Sequence, residues 1–307
     1  METASVLAEH DQRLRSLDSL LPESKPLSVP ITGEVALSVP SAAGIYRRQR
    51  LDLDSLAADE RAADVHLLDA RVAGPDPVAA MAALLDRWEE HIAAGEFAAD
   101  GDSEALIRWP SRDTSLTPTF RSHQLAPTEI RAVRPAGRPT PPAPDGVTVR
   151  AFRSADLDVA IGLALELAHW NTQFGGRPPR PSTEAHYQRI FGGRLTWPTP
   201  WVWVAEAAGA ITGVIVTNPP ERAEFATPWV AAGPVAYVGA MVVGGGHRGD
   251  GVGAALVNRA HAALDAAGVA VTLLDYYAMN PVSGPFWHRC GYRPLSTEWT
   301  RRPARLG

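Results

Sequence analysis

Cysteine occurs once in the 307 residues, at Cys290, which excludes an internal disulfide framework and any zinc site built from a cysteine cluster. Lysine also occurs once, at Lys25, so every lysine-based active site is excluded except one at that position. No apolar run reaches the ~18 residues of a membrane-spanning helix. The N-terminal stretch METASVLAEHDQRLRS carries charges where a secretory signal needs its apolar core, so a cytoplasmic location is expected. A formal charge of −5 gives no general attraction to nucleic acid, and neither nucleic acid nor a membrane is expected as a partner. What is present is ordinary for a globular protein: 45% hydrophobic and 21% charged residues, in a chain long enough for two cores.

A break falls near the middle. Residues 135–146 read PAGRPTPPAPDG, stiff, extended and poor in backbone donors, as in a linker. After it the pattern predicts a strand over 147–152, a helix from Asp156 to about Trp170 and a short helix over 182–191. A hairpin of strands follows, 201–205 and 211–217, turning at Ala207–Ala210. Beyond a loop at 218–234 come a nearly uncharged strand over 235–243, a glycine-rich turn at 244–251 and a helix to about Ala267. A strand over 269–276, a short helix over 282–290 ended by Gly291, and a strand over 294–301 complete it. The first half shows the same order more faintly: a helix over 3–20, strands at 34–39, 44–52 and 64–71, a helix at 76–94, a strand at 104–109, a helix at 115–124 and a strand at 128–133. A shift of 167 positions carries Trp109 to Tyr276, Asp113 to Asn280, Phe120 to Trp287 and Pro127 to Pro294. The two halves therefore read as copies of one fold, the first shortened and diverged.

The segment AYVGAMVVGGGHRGDGVGAALVNRAHAAL carries the chemistry. A buried strand runs into glycines and then into a helix, and Arg248–Gly253 fits R-x-x-G-x-G. Glycines let an anion approach the backbone, and the new helix offers free N–H groups and its positive dipole end. Arg248 adds a guanidinium fork. A pyrophosphate-bearing ligand fits that equipment. A dinucleotide-binding turn fits the pattern formally, with Asp275 about 20 residues on. It fails on position, because only one helix and one strand follow. A Walker loop fails because no lysine follows the glycines.

This order of elements, with RGDGVG and NPVSGPFWHRCGY, resembles the GCN5-related N-acetyltransferase (GNAT) superfamily over about residues 147–301. The whole chain resembles a tandem-GNAT architecture with a degenerate N-terminal copy. The resemblance implies an α/β (α+β) fold of two GNAT-like domains, each a mixed, mostly antiparallel sheet flanked by helices. Residues 1–134 would form a copy without a coenzyme A site, 135–146 a linker and 147–307 the catalytic domain. It further implies an acyl-CoA-dependent N-acyltransferase, with acetyl-CoA or another acyl-CoA as co-substrate and no metal. Arg248, Gly249, Gly251, Val252, Gly253 and Ala254 would hold the pyrophosphate. Backbone atoms of Met241, Val242 and Val243 would hold the pantetheine arm, and Asn280 would open the last helix and touch the cofactor.

The family's usual tyrosine acid falls at Trp287, whose indole donates a hydrogen bond but gives up no proton at useful pH, so Trp287 is expected among the cofactor-binding residues, shaping the thioester end. A CoA-binding regulatory protein that has lost catalysis therefore stands as the alternative. Tyr237, Asp275, His288 and Tyr292 are the candidate acid and base groups. Glu206 and His169 read more simply as a hairpin surface charge and a helix-end residue. The acceptor, a small-molecule or peptide amine, is expected among Trp170, Phe174, Trp203 and Trp229. A homodimer is compatible with this reading. In the first half the matching turn, ARVAGPDPVAAMAALL, has prolines that remove N–H groups and an aspartate that adds negative charge, so no CoA site is expected there.

Overall fold

The computed structural model describes residues 3–27, 30–31, 33–95, 101–142 and 145–305. The chain divides into two compact units: one runs to Ile130 and resumes at Pro294, and the other spans Arg131–Arg293. Each unit contains antiparallel strands followed by a helix that crosses over to a parallel strand.

In the first unit, α1 (Thr3–Leu17) precedes β1 (Glu34–Val39), β2 (Ala42–Arg50) and β3 (Asp64–Val72), which are antiparallel in sequence order. Helix α2 (Pro77–Ala93) then crosses over to β4 (Ser103–Pro110), parallel to β3. Short α3 (Thr117–Ser122) leads into β5 (Ala126–Pro135). The buried residues of α2 are Ala80, Met81, Leu84, Leu85, Trp88 and Ile92, the three-and-four spacing of one helix face. They pack with Leu68, Ile107, Phe120 and Trp299 as the core.

The second unit consists of β6 (Thr148–Ala151), α4 (Leu157–Asn171), α5 (Thr183–Arg194), β7 (Val202–Ala207), β8 (Ala210–Asn218) and β9 (Val235–Val243), followed by α6 (Val252–Ala266), β10 (Val271–Tyr277) and α7 (Ser283–Arg289). Strands β6 to β9 are antiparallel neighbours, and β10 lies parallel to β9. The β7–β8 hairpin turns at Ala208 and Gly209, both at positive φ, as a tight two-residue hairpin requires. Helices α4 and α5 cover a core of Phe152, Phe191, Val202, Val204, Val214, Val216 and Val242. Leu264 of α6 packs with Ala236, Val269 and Trp201. Gly213 lets α6 approach β8: a Cβ there would stand 2.9 Å from the Val242 carbonyl oxygen and 3.0 Å from Leu256 Cδ1.

The unit boundaries differ from the expected 134/147 division. Strand β11 (Arg293–Arg301) pairs antiparallel with β4, from Ser296↔Pro110 to Arg301↔Ala105, so the last strand belongs to the first unit. Residues 131–135 of β5 belong to the second, where Arg131 pairs with Asp275 at 2.7 Å and Arg134 with Asp265 at 3.2 Å. The proline-rich stretch is docked over its first residues. Ala136 N–H donates to Ala270 O at 2.9 Å, Arg134 Nη2 to Arg138 O at 2.7 Å and Asn258 Nδ2 to Pro141 O at 2.7 Å.

Candidate functional site

The site is a place where two strands part. Parallel pairing of β9 with β10 ends at Val238↔Leu274, yet β9 runs on to Val243 against β8. The parting begins at a bulge: Val216 faces Ala240 and Thr217 faces Val238, so Gly239 is an extra residue on β9. Beyond it, the edge of β9 through Met241, Val242 and Val243 has no β10 register partner, which leaves room for an extended ligand to lie beside it as a further strand.

The glycine turn closes the end of that slot. Gly249 and Gly251 have φ of 96° and 80°, values that suit glycine. Gly251 is the N-cap of α6, and the first helical bond runs from Ala255 N–H to Gly251 O at 3.1 Å. The N–H groups of Val252, Gly253 and Ala254 precede that bond and so lack an intrahelical acceptor. The side chains of Val252 and Ala254 are buried, so it is their backbone that can meet an anion. A Cβ on Gly253 would lie 3.3 Å from the Phe286 ring and 3.7 Å from Met241 Cε, so those side chains pack closely over the turn. Asn280 is buried and its Oδ1 accepts from Val282 N–H at 3.0 Å and Ser283 N–H at 3.2 Å, capping the start of α7.

Arg248 braces the turn. Its Nε donates to Val243 O at 3.2 Å, its Nη2 to Glu166 Oε1 at 3.2 Å, and its guanidinium lies 4.3 Å from the Trp170 ring centroid. Glu166 also accepts from Gly245 N–H at 2.9 Å. Trp170 and Phe174, in edge contact at 5.5 Å, therefore stand at the glycine turn and not with the other aromatics expected around the acceptor.

Of the expected acceptor aromatics, Trp229 alone joins a second cluster, beside the part of β9 that is paired with β10. Phe225, Trp229 and Tyr237 contact one another edge-on at 5.3–6.0 Å. The Arg131 guanidinium lies 3.4 Å over Trp229 and donates to both oxygens of Asp275, at 2.9 and 2.7 Å. Tyr237 faces Leu273 in register, so Asp275, two residues further, projects from the same face as Tyr237. With both oxygens held by Arg131, Asp275 is a brace for the aromatic wall more than an open base.

Several expected site residues lie elsewhere. Trp203 is buried, in edge contact with Trp201 and beneath Arg259 of α6, so it is core packing and no part of an acceptor pocket. Tyr292 is 3% exposed, its hydroxyl 3.0 Å from His261 Nε2, and burial drives its pKa far up, so it cannot reach a substrate. Trp287 is buried between Phe286 and Tyr292. His288 sits exposed at the far end of α7, 3.1 Å from the Tyr276 hydroxyl. Glu206 is paired with Arg150, and His169 bonds the Leu165 carbonyl of its own helix. Sequence reasoning missed Arg131, Glu166, Gly239 and Phe286. Glu166 alone left a local signal, standing one helical turn before Trp170.

The matching place in the first unit is filled by protein. Pairing of β3 with β4 ends at Leu68↔Ile107, and there α1 supplies His10, whose Nδ1 accepts from Val72 N–H at 3.4 Å and whose ring meets Trp109 at 5.5 Å. Asp76 caps α2 by accepting from Ala79 N–H, and Glu9 accepts from Gly74 N–H, each at 2.9 Å. Carboxylates thus occupy the donors that a phosphate would need. Asp86, Glu89 and His123 bring ligand atoms within 4.8 Å of one another in this unit, but Glu89 already holds Arg301.

A strand pair that parts beside a glycine-capped helix defines a class of ligand-binding α/β domain, and comparison with known proteins gives the class its family. Residues 165–292 match the Acetyltransferase (GNAT) family profile. This part of the chain is a GNAT domain. The fold of the whole chain is similar to that of a GCN5-related N-acetyltransferase from Sphaerobacter thermophilus, with 15% identity, TM-score 0.57, and coverage of 100% of this chain and 95% of that one. It is also similar to a GCN5-related glucosamine N-acetyltransferase region of a fungal multi-domain GH3 beta-N-acetylglucosaminidase, with 14% identity, TM-score 0.50, and coverage of 85% and 31%. No curated protein sequence matches the chain. Among the described residues no helix is long and apolar enough to cross a membrane.

Proposed function

We propose that the second unit is an acyl-CoA-dependent N-acyltransferase, with acetyl-CoA as the expected donor, in which an amine attacks the thioester directly within a ternary complex. The observation that carries this reading is the parting of β9 from β10 directly above a helix whose first N–H groups are open. The N–H groups of Val252, Gly253 and Ala254 would receive the pyrophosphate, and the free edge of β9 at Met241–Val243 the pantetheine arm. The donor supplies an activated acyl group, and the protein supplies alignment. Arg248 keeps its place in the turn through Glu166 and Val243, so its charge supports the anion from behind. Phe286 and Met241 close over Gly253 and exclude water.

The acceptor side is the wall of Phe225, Trp229 and Tyr237, stiffened by Arg131 and Asp275. Its apolar faces suit an amine carried on an aromatic or aliphatic body. The amine must be neutral to attack, and Tyr237 is the polar side chain of this wall placed to accept or relay its proton. A thiolate is a good leaving group, and the buried Trp287 leaves the family's usual acid position without a proton donor. The test is release of free thiol from acetyl-CoA with a panel of primary amines. CoA binding without amine-dependent thiol release would favour the catalytically silent reading.

A further inference from the structure

Cationic groups converge at the opposite end of α7 from the slot, where the acyltransfer reading gives them no work. A cavity of about 350 Å³ is lined by Pro135, Arg138, Pro139, His288, Arg289, Gly291, Tyr292 and Arg293. Its lining contains three arginines and a histidine and no carboxylate. The guanidinium groups of Arg138 and Arg289 take part in no ion pair or side-chain hydrogen bond among the described residues. Arg131, Arg134, Arg150 and Arg248 of the same unit are each paired with a carboxylate. Unpaired guanidinium forks that share a concave surface repel one another, and a bound anion removes that repulsion.

The cavity is built and held. Gly291, at φ 88°, crosses so close to the docked start of the proline-rich stretch, residues 136–141, here called the strap, that a Cβ would stand 2.9 Å from Arg138 Cβ. The strap is pinned by Ala136 N–H to Ala270 O, by Arg134 to the Arg138 carbonyl, and by Asn258 to the Pro141 carbonyl. A pinned wall loses little freedom when a ligand arrives. The site is also separate from the slot. Ala136 is level with Ala270, before the start of β10, whereas the slot opens after Leu274.

We propose that this cavity binds a phosphate group, free or as the monoester of a small metabolite, at a second site independent of the acyl-CoA slot. Two planar forks and an imidazole suit a tetrahedral dianion, and the volume lies at the small end for ligand pockets, enough for a short organic body besides the phosphate.

The experiment is calorimetric titration of the full chain with inorganic phosphate and with glycerol 3-phosphate, at fixed ionic strength set with chloride. The wild type and Gly251→Asp, which disables the glycine turn, should bind alike. Arg138→Gln/Arg289→Gln should bind at least about tenfold more weakly, with CoA affinity unchanged. Both substitutions lie on exposed side chains, so folding should be preserved, and Arg138→Lys/Arg289→Lys should recover part of the affinity. Tighter binding of the ester than of phosphate identifies a metabolite as the ligand, and equal binding identifies free phosphate. Binding that survives Arg138→Gln/Arg289→Gln but vanishes in Gly251→Asp would place the anion in the glycine turn and overturn the proposal. So would the absence of binding at millimolar phosphate.

Discussion

Replacing Gly251 by aspartate should give the glycine turn of the second unit the negative charge that the first unit carries at its helix start. Gly251 is the N-cap of α6, and Ala254 is three residues on. In the first unit Asp76 holds the same relation to α2, and its carboxylate accepts the Ala79 N–H at 2.9 Å. An aspartate at 251 would start from φ 80° and not the −124° of Asp76, but it would still set a negative charge beside the open N–H groups of α6 and displace a phosphate oxygen from them. The lost charge-assisted hydrogen bond costs about 1.5–3 kcal/mol, and repulsion at a solvent-facing site adds about 1 kcal/mol. Together they predict CoA binding weaker by roughly 100- to 1000-fold. The residue must also adopt φ of 80°, which costs an L-residue about 1–2 kcal/mol, so stability should fall slightly and the fold remain. Gly251→Asn bears the same backbone cost without the charge and should weaken CoA by only about tenfold. Calorimetry with CoA on the three proteins, each checked by thermal unfolding, decides the matter. A folded Gly251→Asp protein with wild-type affinity would refute the phosphate reading of the turn.

The plugged first unit predicts one CoA per chain, and calorimetry returning two would sink the argument from His10, Glu9 and Asp76. Trp287→Phe should keep most of the amine-dependent thiol release, because the indole is buried packing; a loss beyond about 100-fold, the low end of a general-acid effect, would show a chemical role. His10 and His261 are held neutral by burial first, with Arg71 and Arg134 adding to it, at pKa values of about 4 and about 3. Unfolding restores a value of about 6.5, so their contribution to stability is complete above that pH and is lost as pH falls toward 4, ~3 kcal/mol from His10 alone. Urea midpoints at pH 7 and pH 4.5 should therefore differ less in His10→Gln than in the wild type, and an equal difference would contradict this.

The glycine turn was legible because its determinants are contiguous: a strand, the glycines and a helix start lie within about twenty residues of one another. The aromatic wall was only half legible. Phe225, Trp229 and Tyr237 are close in sequence, but Arg131, which seats Trp229 and holds Asp275, comes from a strand 144 residues before its partner, and no local pattern marks it. Trp201, which stands just before β7 at φ 54°, and Trp203 within it show the limit of alternation. Period two says that Trp201 and Trp203 share a face, and it does not say that the face belongs to α6. Arg248 shows another limit. The motif fixes where it stands in the chain, but its hydrogen bonds to Glu166 and Val243 are set by α4 and the end of β9.

The destinations of β5 and β11 were the least legible part, and buried charge accounts for them. Both strands carry charges that the structure buries. In the structure Glu298 is 2% exposed and gripped by Arg61 at 2.5 Å and Arg108 at 2.6 Å. Burial alone would raise its pKa, and the two guanidinium groups overcome that and hold it well below the usual carboxylate range. Arg131 and Arg134 of β5 are buried against Asp275 and Asp265. Removing one member of a buried pair costs ~3–5 kcal/mol, so a strand docked beside the wrong neighbour is heavily penalised, whereas apolar residues alone would accept either. Two excised chains should therefore behave differently. Residues 131–293 keep both arginines of β5 with their aspartates and omit the strand that belongs elsewhere. Residues 147–307 leave Asp275 and Asp265 without their arginines and expose Leu295 and Trp299 of a β11 that has lost β4. The first should be soluble, unfold cooperatively and bind CoA, and the second should aggregate. Equal solubility and equal CoA affinity for the two would show that the charges do not choose the strand partners.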